Sequence, residues 1–197
     1  MQPTDNYRKY RARNPLQHQL IESFLRTVVR QSRIVHPKSI LEAGCGEGFI
    51  LERLYKANIG EKLVGIDFSD RAIALAKKER PHLDIRKGDI YNIPFKDNSF
   101  DLVICCEVLE HLERPENALS ELARVSKSYV ILSVPNEPFF MIANFLRGKN
   151  LTRFGNDIEH INHWSGDAFE KFVGQKFSVF TRKHPFPWTI LVGEKRT

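Results

Sequence analysis

The 197-residue sequence predicts an α/β fold, in which strands alternate with helices and pack into a mostly parallel sheet. A glycine-rich stretch at 39–50, S-I-L-E-A-G-C-G-E-G-F-I, joins a short apolar strand to the start of a helix. A second apolar strand at 62–67 ends in an acid and leads into another helical pattern. The stretch at 100–106, F-D-L-V-I-C-C, is apolar on both faces, as in a strand covered by helices.

The residues before the glycine-rich stretch predict a basic arm and a helix, at 1–37, ahead of a main domain at 38–197. Residues 1–38 hold eight of the 30 Lys and Arg residues but two of the 24 Asp and Glu residues, which concentrates the net charge of +6 there. Asn14 and Pro15 can cap and begin a helix, because apolar residues then recur at helical spacing. A solvated arm is the common outcome of such a charge run, and contact with nucleic acid is the alternative.

Further strands are expected where short apolar runs are bounded by turn residues, and a helix is expected to begin at Pro115. These strands lie at 83–90, 129–134, 177–180 and 188–192, the last two as a hairpin. The segment 138–165 is the longest insertion, and we expect it to form a lid over a substrate site. Its apolar beginning suits a pocket for an aromatic or prenylated molecule.

The composition favours a soluble, cytoplasmic protein with one domain of ordinary size. The longest apolar runs are a few residues, and the first ten residues lack the apolar core of a signal peptide. Three cysteines, Cys45, Cys105 and Cys106, lie in apolar stretches and not in C-x-x-C pairs. Buried, reduced thiols are therefore expected, and a zinc knuckle or a secreted disulfide framework is disfavoured.

The glycine-rich stretch favours a nucleoside ligand other than NAD. A NAD-binding fingerprint G-x-G-x-x-G has a third glycine at the position of Phe49. The chain instead offers acids, with Glu42 in the stretch and Asp67 and Asp89 near the ends of the next two strands. Acids suit a ligand that has no phosphate and carries hydroxyl groups and positive charge.

Four motifs in order resemble those of class I S-adenosylmethionine-dependent methyltransferases of the methyltransferase type 11 kind. They are E-A-G-C-G-E-G, V-G-I-D-F-S, G-D-I and F-D-L-V-I-C-C-E-V-L-E-H-L, and the resemblance covers roughly 38–192. It implies an enzyme with a Rossmann-like, seven-stranded, mostly parallel sheet, an antiparallel last strand and helices on both faces. S-adenosylmethionine fits the acids because it has a ribose, a cationic sulfonium and an amino-acid zwitterion.

The resemblance also implies cofactor contacts. Asp67 would accept both ribose hydroxyls beside Phe68, and Asp89 would accept from the adenine amino group beside Ile90. The backbone at Cys105 and Cys106 would face the methionine ammonium. The positions expected in the glycine loop are Glu42, Gly44, Cys45, Gly46 and Gly48. Of these, Glu42 can instead orient the loop without touching the ligand.

The motif E-V-L-E-H provides candidate catalytic residues. On a helical turn Glu107, Glu110 and His111 would share one face, because they stand at i, i+3 and i+4. A hydroxyl or amine acceptor needs a base, and we expect it among Glu107, His111 and His163.

The same motif resembles that of ubiquinone-pathway O-methyltransferases and small-RNA 2′-O-methyltransferases. This resemblance implies a site for magnesium, manganese or zinc. Its expected ligands are Glu107, Glu110, His111 and His163, with His160 as the alternative fourth ligand. The motif also occurs in methyltransferases without a known metal, so Glu110 and His111 can instead order the turn.

The sequence thus predicts methyl transfer from S-adenosylmethionine to a hydroxyl group of a small molecule, with or without a metal. An RNA methyltransferase of the 2′-O type is the alternative, since the basic arm carries Arg8, Lys9, Arg11 and Arg13. A non-catalytic binding module on the same fold is the third interpretation. A NAD-dependent oxidoreductase is disfavoured by Phe49.

Overall fold

The chain forms a seven-stranded sheet with packed helices. The computed structural model describes residues 4–11, 14–137 and 160–196. The helices are α1 (Asp5–Tyr10), α2 (Pro15–Ile34), α3 (Phe49–Lys56), α4 (Asp70–Glu79), α5 (Pro115–Val125) and α6 (Gly166–Val173), with a 3₁₀ helix at Leu109–His111. The strands are β1 (Ser39–Ala43), β2 (Lys62–Asp67), β3 (Asp84–Lys87), β4 (Phe100–Cys106), β5 (Ser126–Pro135), β6 (Phe177–Lys183) and β7 (Trp188–Lys195).

The sheet has the order β3-β2-β1-β4-β5-β7-β6. Neighbouring strands from β3 to β5 are parallel, and β7 pairs antiparallel with both β5 and β6. The carboxyl ends of β1, β2 and β4 therefore lie at one edge, where α/β sheets bind their ligands. The predicted sheet, with its antiparallel last strand, is confirmed.

Alternate residues of the central strands enter two separate cores. Leu41 packs in one core with buried residues of α5 and α6, whereas its neighbour Ile40 packs in the other with buried residues of α2 and α3. This alternation follows from the two-residue period of a strand. It explains why β4 is apolar and buried from Leu102 to Cys106, since helices cover both of its faces.

Helix α2 begins as its sequence predicts. The side chain of Asn14 accepts a hydrogen bond from the backbone N–H of Gln17 at 3.2 Å, and Pro15 is the first helical residue. Phe24 and Val28 are buried in the second core, together with β1 and β4. Leu16 belongs to the same apolar pattern but is 63% exposed.

Four predicted strands differ in length from the observed ones, and both strands of the hairpin run three residues beyond the expected 177–180 and 188–192. The third was expected at 83–90, but β3 ends at Lys87 because the carboxylate of Asp89 accepts a hydrogen bond from Tyr91 N at 2.8 Å and turns the chain. The fifth was expected at 129–134, but β5 runs from Ser126 to Pro135. The expected hairpin is confirmed as β6 and β7.

Three further expectations concern the cysteines, membrane-spanning helices and the lid. All three cysteines are free and buried, as predicted. Within the described ranges, no helix has the length and apolar character needed to cross a bilayer. Most of the predicted lid, at 138–165, lies outside the described residues.

Candidate functional site

A cavity of about 1360 Å³ opens at the edge of the sheet where β1, β2 and β4 end. The glycine loop forms one wall, and the turn after β4 forms another. Helix α1 and the residues just before β7 close further sides. The cavity therefore joins most of the predicted cofactor residues to Glu107 and His111, whereas Gly48, Cys105 and His163 are not among the described residues that line it.

The glycine loop is held against β2 by its own backbone. Gly44 N and Cys45 N both donate to Ile66 O, at 2.8 and 3.0 Å. Gly46 N donates to the Asp67 carboxylate at 2.7 Å, and Gly48 N donates to Cys45 O at 2.8 Å. Four N–H groups of the loop are thus already satisfied within the protein, which argues against binding of a pyrophosphate, because that group needs such donors.

The loop glycines are required by conformation and by space. Gly44, Gly46 and Gly48 all have positive φ, which disfavours other residues. A Cβ atom at Gly44 would lie 2.4 Å from Cγ2 of Val108, in the turn after β4. The loop and that turn are therefore in close contact.

Gly65, within β2, lets helix α3 pack closely on the sheet. A Cβ atom there would lie 2.7 Å from both Cys45 Sγ and Leu51 Cδ1. In NAD-binding sites the third glycine of the fingerprint serves this packing. Here Gly65 has that role, which leaves Phe49 available for another contact.

The predicted cofactor residues after β2 and β3 all line the cavity: Asp67, Phe68, Asp89 and Ile90. Asp67 accepts from both Gly46 N and Ser69 N, at 2.7 and 2.8 Å. Phe68 is 78% exposed, although it is a large aromatic side chain. The contacts of these residues with a cofactor stay predictions.

Glu42 bonds to the start of α3 and also lines the cavity, so both roles that the sequence allows for it stay predictions. Its carboxylate is buried and accepts from Leu51 N at 3.2 Å, near the start of α3. Burial raises the pKa of Glu42 well above its usual value, and the nearby charge of Asp67 raises it further. The hydrogen bond from Leu51 N acts in the opposite direction.

The turn after β4 differs from the expected helical face. Glu107 precedes the 3₁₀ helix and has a φ of 60°, so the helical spacing does not apply to it. Its carboxylate accepts from Ser133 Oγ at 3.1 Å and from Trp188 Nε1 at 2.5 Å. Burial raises the pKa of Glu107, and the ammonium of Lys9, 3.6 Å away, lowers it.

Glu110, His111 and His160 are brought together beside the cavity. One ligand atom from each lies within 4.8 Å of the other two. His160 is held there because Ile161 N and Asn162 N donate to Glu110 O, at 2.8 and 3.0 Å.

The predicted ligand set is therefore only partly assembled. His160, the alternative ligand, joins this group, whereas His163 Nδ1 lies 3.7 Å from Glu137 Oε1. Glu107 is engaged by Ser133 and Trp188. Glu110 Oε2 is buried without a hydrogen-bond partner, and burial raises the pKa of this carboxyl well above its usual value.

Helix α1, where the sequence predicts a basic arm, lies across the cavity. The side chains of Thr4 and Asn6 donate to Glu47 of the glycine loop. Tyr7 OH and Arg11 Nη2 donate to the carboxylate of Glu79, at 2.5 and 2.9 Å. These contacts join α1 to the loop and to the end of α4.

Phe49 anchors α1 from the position of the missing third glycine. The Tyr10 ring stacks on it with centroids 4.4 Å apart, and the Arg80 guanidinium lies 4.2 Å from its centroid. Tyr7 contacts the same ring at 6.0 Å. The two tyrosines at i and i+3 gave a sequence signal for this docking, which the adjacent basic residues obscured.

The fold and cavity define a Rossmann-like domain with a cavity lined by acids, in which the loop N–H groups of Gly44, Cys45, Gly46 and Gly48 already have acceptors within the protein. Comparison with known proteins agrees with this description. Residues 41–134, just under half of the chain, match the family model described as a methyltransferase domain. This part of the chain is similar to S-adenosylmethionine-dependent methyltransferases.

Two curated relatives and one solved structure illustrate the likeness. The chain is 32% identical over 122 residues to a probable S-adenosylmethionine-dependent methyltransferase of Mycolicibacterium smegmatis, covering 59% of this chain and 47% of that protein. It is 33% identical over 105 residues to a mitochondrial ubiquinone biosynthesis O-methyltransferase of Schizosaccharomyces pombe, covering 50% and 38%. The chain thus spans less than half the length of these relatives.

The solved structure is magnesium protoporphyrin IX methyltransferase from Synechocystis PCC 6803 with bound SAH. The TM-score is 0.71 at 20% identity, over 93% of this chain and 88% of that one. At this identity the likeness concerns the fold.

We expect the variant Glu42→Gln to change how stability depends on pH. The raised pKa of Glu42 means that the folded state binds more protons than the unfolded state above the ordinary glutamate pKa of 4.5. The glutamate contribution to stability therefore falls as pH rises from 4.5 through the folded-state pKa. Glutamine keeps an acceptor for Leu51 N and does not titrate. Urea unfolding should show the variant about 1–2 kcal/mol more stable than wild type at pH 8, with a smaller difference at pH 5.

The exposed residue Glu194 provides the control, because its side chain lies outside the cavity. Glu194→Gln should follow the wild-type pH profile. A constant stability difference between Glu42→Gln and wild type across this pH range would show that the Glu42 carboxyl does not titrate as described.

Proposed function

We propose that the protein transfers a methyl group from S-adenosylmethionine to a hydroxyl group of a small, largely apolar molecule. The observation that carries this proposal is the continuous cavity from the glycine loop to the turn after β4. Its volume of about 1360 Å³ exceeds the roughly 300–1,000 Å³ of an ordinary ligand pocket. There is room for a methyl donor and an acceptor side by side.

The residues at the loop end fit S-adenosylmethionine better than a dinucleotide. Four loop N–H groups are used within the protein, and the acids Asp67 and Asp89 line the cavity. A negative environment favours a ligand with a cationic sulfonium. When bound, S-adenosylmethionine supplies a methyl group on an already activated sulfur, so the protein mainly needs to align the acceptor.

The acceptor end combines an apolar rim with a candidate base. Leu16 and Phe186 line the cavity and are 63% and 50% exposed, which suits an aromatic or prenylated molecule. We assign the base to His111, which lines the cavity, because both carboxylate oxygens of Glu107 already accept hydrogen bonds. The S. pombe relative, named for ubiquinone biosynthesis, supports an O-methyl acceptor of this kind.

A 2′-hydroxyl of RNA is the alternative acceptor. Two of the cations expected to bind RNA have partners within the protein, since Lys9 lies beside Glu107 and Arg11 beside Glu79. Those pairs reduce the positive charge that α1 presents to a phosphate backbone. The small-molecule proposal is therefore the better supported of the two.

As an alternative to a His111 base, we propose that Glu110, His111 and His160 hold a divalent cation, in which case His111 is a ligand and not the base. One carboxylate and two imidazoles suit magnesium, manganese or zinc, and Glu110 Oε2 is buried without a hydrogen-bond partner. A cation at this place supplies Lewis-acid chemistry that lowers the pKa of a hydroxyl. His160 replaces His163 in this proposal.

Cofactor choice can be tested through Asp67. We expect S-adenosylmethionine and S-adenosylhomocysteine, but not NAD, to raise the melting temperature of the wild type. Asp67→Asn should weaken S-adenosylhomocysteine binding by about 10–100-fold in calorimetry, because a charged acceptor of the ribose hydroxyls is lost. Asp70→Asn, whose carboxylate pairs with exposed Lys87 at 2.5 Å, should bind as wild type does. Stabilisation by NAD alone would overturn the cofactor assignment.

The acceptor can be tested with radiolabelled S-adenosylmethionine, a panel of catechols and prenylated quinols, and short RNAs. We expect label in a methyl ether of a small molecule, identified by mass spectrometry. His111→Ala should lower kcat by about 10²–10⁴-fold with little change in S-adenosylhomocysteine affinity. His163→Ala should lower it much less, since His163 lies beside Glu137.

Label in RNA alone would support the alternative. If S-adenosylmethionine bound without turnover of any acceptor in the panel, a binding module would be favoured. A larger loss in His163→Ala than in His111→Ala would restore His163 as the base.

The metal can be tested by calorimetry of metal-free protein with magnesium, manganese and zinc. We expect one of them to bind, and His160→Ala or Glu110→Gln to lower its affinity by at least about tenfold. His163→Ala should retain wild-type affinity, because His163 lies outside the group formed by Glu110, His111 and His160. Absence of binding by the wild type would eliminate the metal, and loss of binding in His163→Ala alone would restore the sequence-based ligand set.

A further inference from the structure

The carboxylate of the proposed cofactor has no assigned partner. S-adenosylmethionine ends in an amino acid, and an ionised carboxylate leaves water only when N–H donors or a cation replace its hydration. The acids expected at the cofactor, such as Asp67 and Asp89, cannot serve this group. A donor or a cation must come from elsewhere in the cavity.

The glycine loop leaves few donors for this role. Gly44 and Cys45 donate to a carbonyl at the end of β2, Gly46 donates to Asp67, and Gly48 donates back to Cys45. Using one of these N–H groups for the cofactor would break a bond that holds the loop. A cationic side chain is therefore the better partner for the cofactor carboxylate, because it can bind this group without breaking a bond within the loop.

Three side chains that carry a permanent positive charge line the described cavity: Arg8, Lys9 and Arg114. Arg114 lies over the Tyr91 ring, at 5.1 Å from its centroid. Tyr91 is two residues beyond Asp89, at the end of the cavity where adenine is expected. Arg8 is exposed, whereas Lys9 is partly buried.

Lys9 lies at the opposite end, where the loop meets the end of β4. Its ammonium is 3.6 Å from Glu107 Oε2 and 5.2 Å from the centroid of the Trp188 ring. The next residue, Tyr10, stacks on Phe49 directly after the loop. Val108, which follows Glu107, limits the space at Gly44. The resemblance places the amino-acid end of the cofactor at this junction.

We propose that Lys9, on helix α1, binds the carboxylate of S-adenosylmethionine. Glu107 is the counter-ion that holds the Lys9 ammonium in the cavity, and the Trp188 ring supports it from one side. The Lys9 ammonium has three N–H donors, so its pairing with Glu107 leaves donors for a second carboxylate. This inference rests on the proposed function, because it presumes that the cavity takes this cofactor.

The test compares S-adenosylmethionine with decarboxylated S-adenosylmethionine, which keeps the sulfonium and the amine and lacks only the carboxylate. Calorimetry without an acceptor measures both affinities. We expect the wild type to bind S-adenosylmethionine about tenfold more tightly than the decarboxylated form. Lys9→Met should lose this preference by binding S-adenosylmethionine about tenfold more weakly and the decarboxylated form within about twofold of wild type. Lys9→Arg should retain the preference.

Lys127→Met is the matched control, because Lys127 is an exposed lysine that pairs with Asp101 outside the cavity. It should leave the preference for the carboxylate unchanged. Equal weakening of both ligands in Lys9→Met would mean that Lys9 only holds α1 in place, and would overturn the proposal. An unchanged preference in Lys9→Met would overturn it as well. If the wild type bound neither ligand, the proposed function itself would fail, which is a distinct result.

Discussion

The site depends on the hydrogen bonds that fix the glycine loop to the end of β2. Two loop N–H groups share the carbonyl of Ile66, and a third binds the carboxylate of Asp67. These bonds set the path of the chain from β1 into α3. The carboxylate of Glu42 can then accept a hydrogen bond from Leu51 N. Because the same carboxylate of Asp67 also receives Ser69 N, the loop and the start of α4 share one anchor. Loss of that anchor would loosen two walls of the cavity together.

The internal hydrogen bonds of the loop N–H groups also affect which kind of ligand suits the cavity. A helix N-terminus with free N–H groups attracts phosphate. Here four loop N–H groups already have acceptors, and Asp67 and Asp89 line the cavity. A cationic, phosphate-free nucleoside is therefore a better ligand than a dinucleotide. A phenylalanine can stand at position 49, where a NAD-binding fingerprint has its third glycine, because Gly65 already allows helix α3 to pack closely on the sheet.

The sheet could be predicted from the sequence because its signals are local. Strand β4 is apolar on both faces, and its predicted bounds, Phe100–Cys106, are the observed ones. The acids after β2 and β3 were found because their motifs lie next to those strands. The end of β3 was placed too late because a side-chain hydrogen bond at Asp89, not hydrophobic periodicity, turns the chain there.

The contacts between distant segments could not be predicted in the same way. Spacing alone placed Glu107 with Glu110 on one helical face, whereas Trp188 and Ser133 draw its carboxylate towards β5 and β7. Likewise, the sequence alone does not decide whether His160 or His163 lies beside Glu110 and His111. The backbone bonds from Ile161 and Asn162 to Glu110 determine that His160 is the one beside His111.

Helix α1 shows most clearly how tertiary contacts override a local pattern. A helix of six residues is not stable alone, because nucleation costs more than so few hydrogen bonds return. It forms here because the Tyr10–Phe49 stacking, about 0.5–1.5 kcal/mol beyond simple burial, adds to the contacts at Glu47 and Glu79. Any ligand that binds Lys9 would strengthen that docking. By reciprocity, the docked helix strengthens binding of the ligand by the same free energy. Formation of α1 and binding of a ligand in the cavity are then thermodynamically coupled.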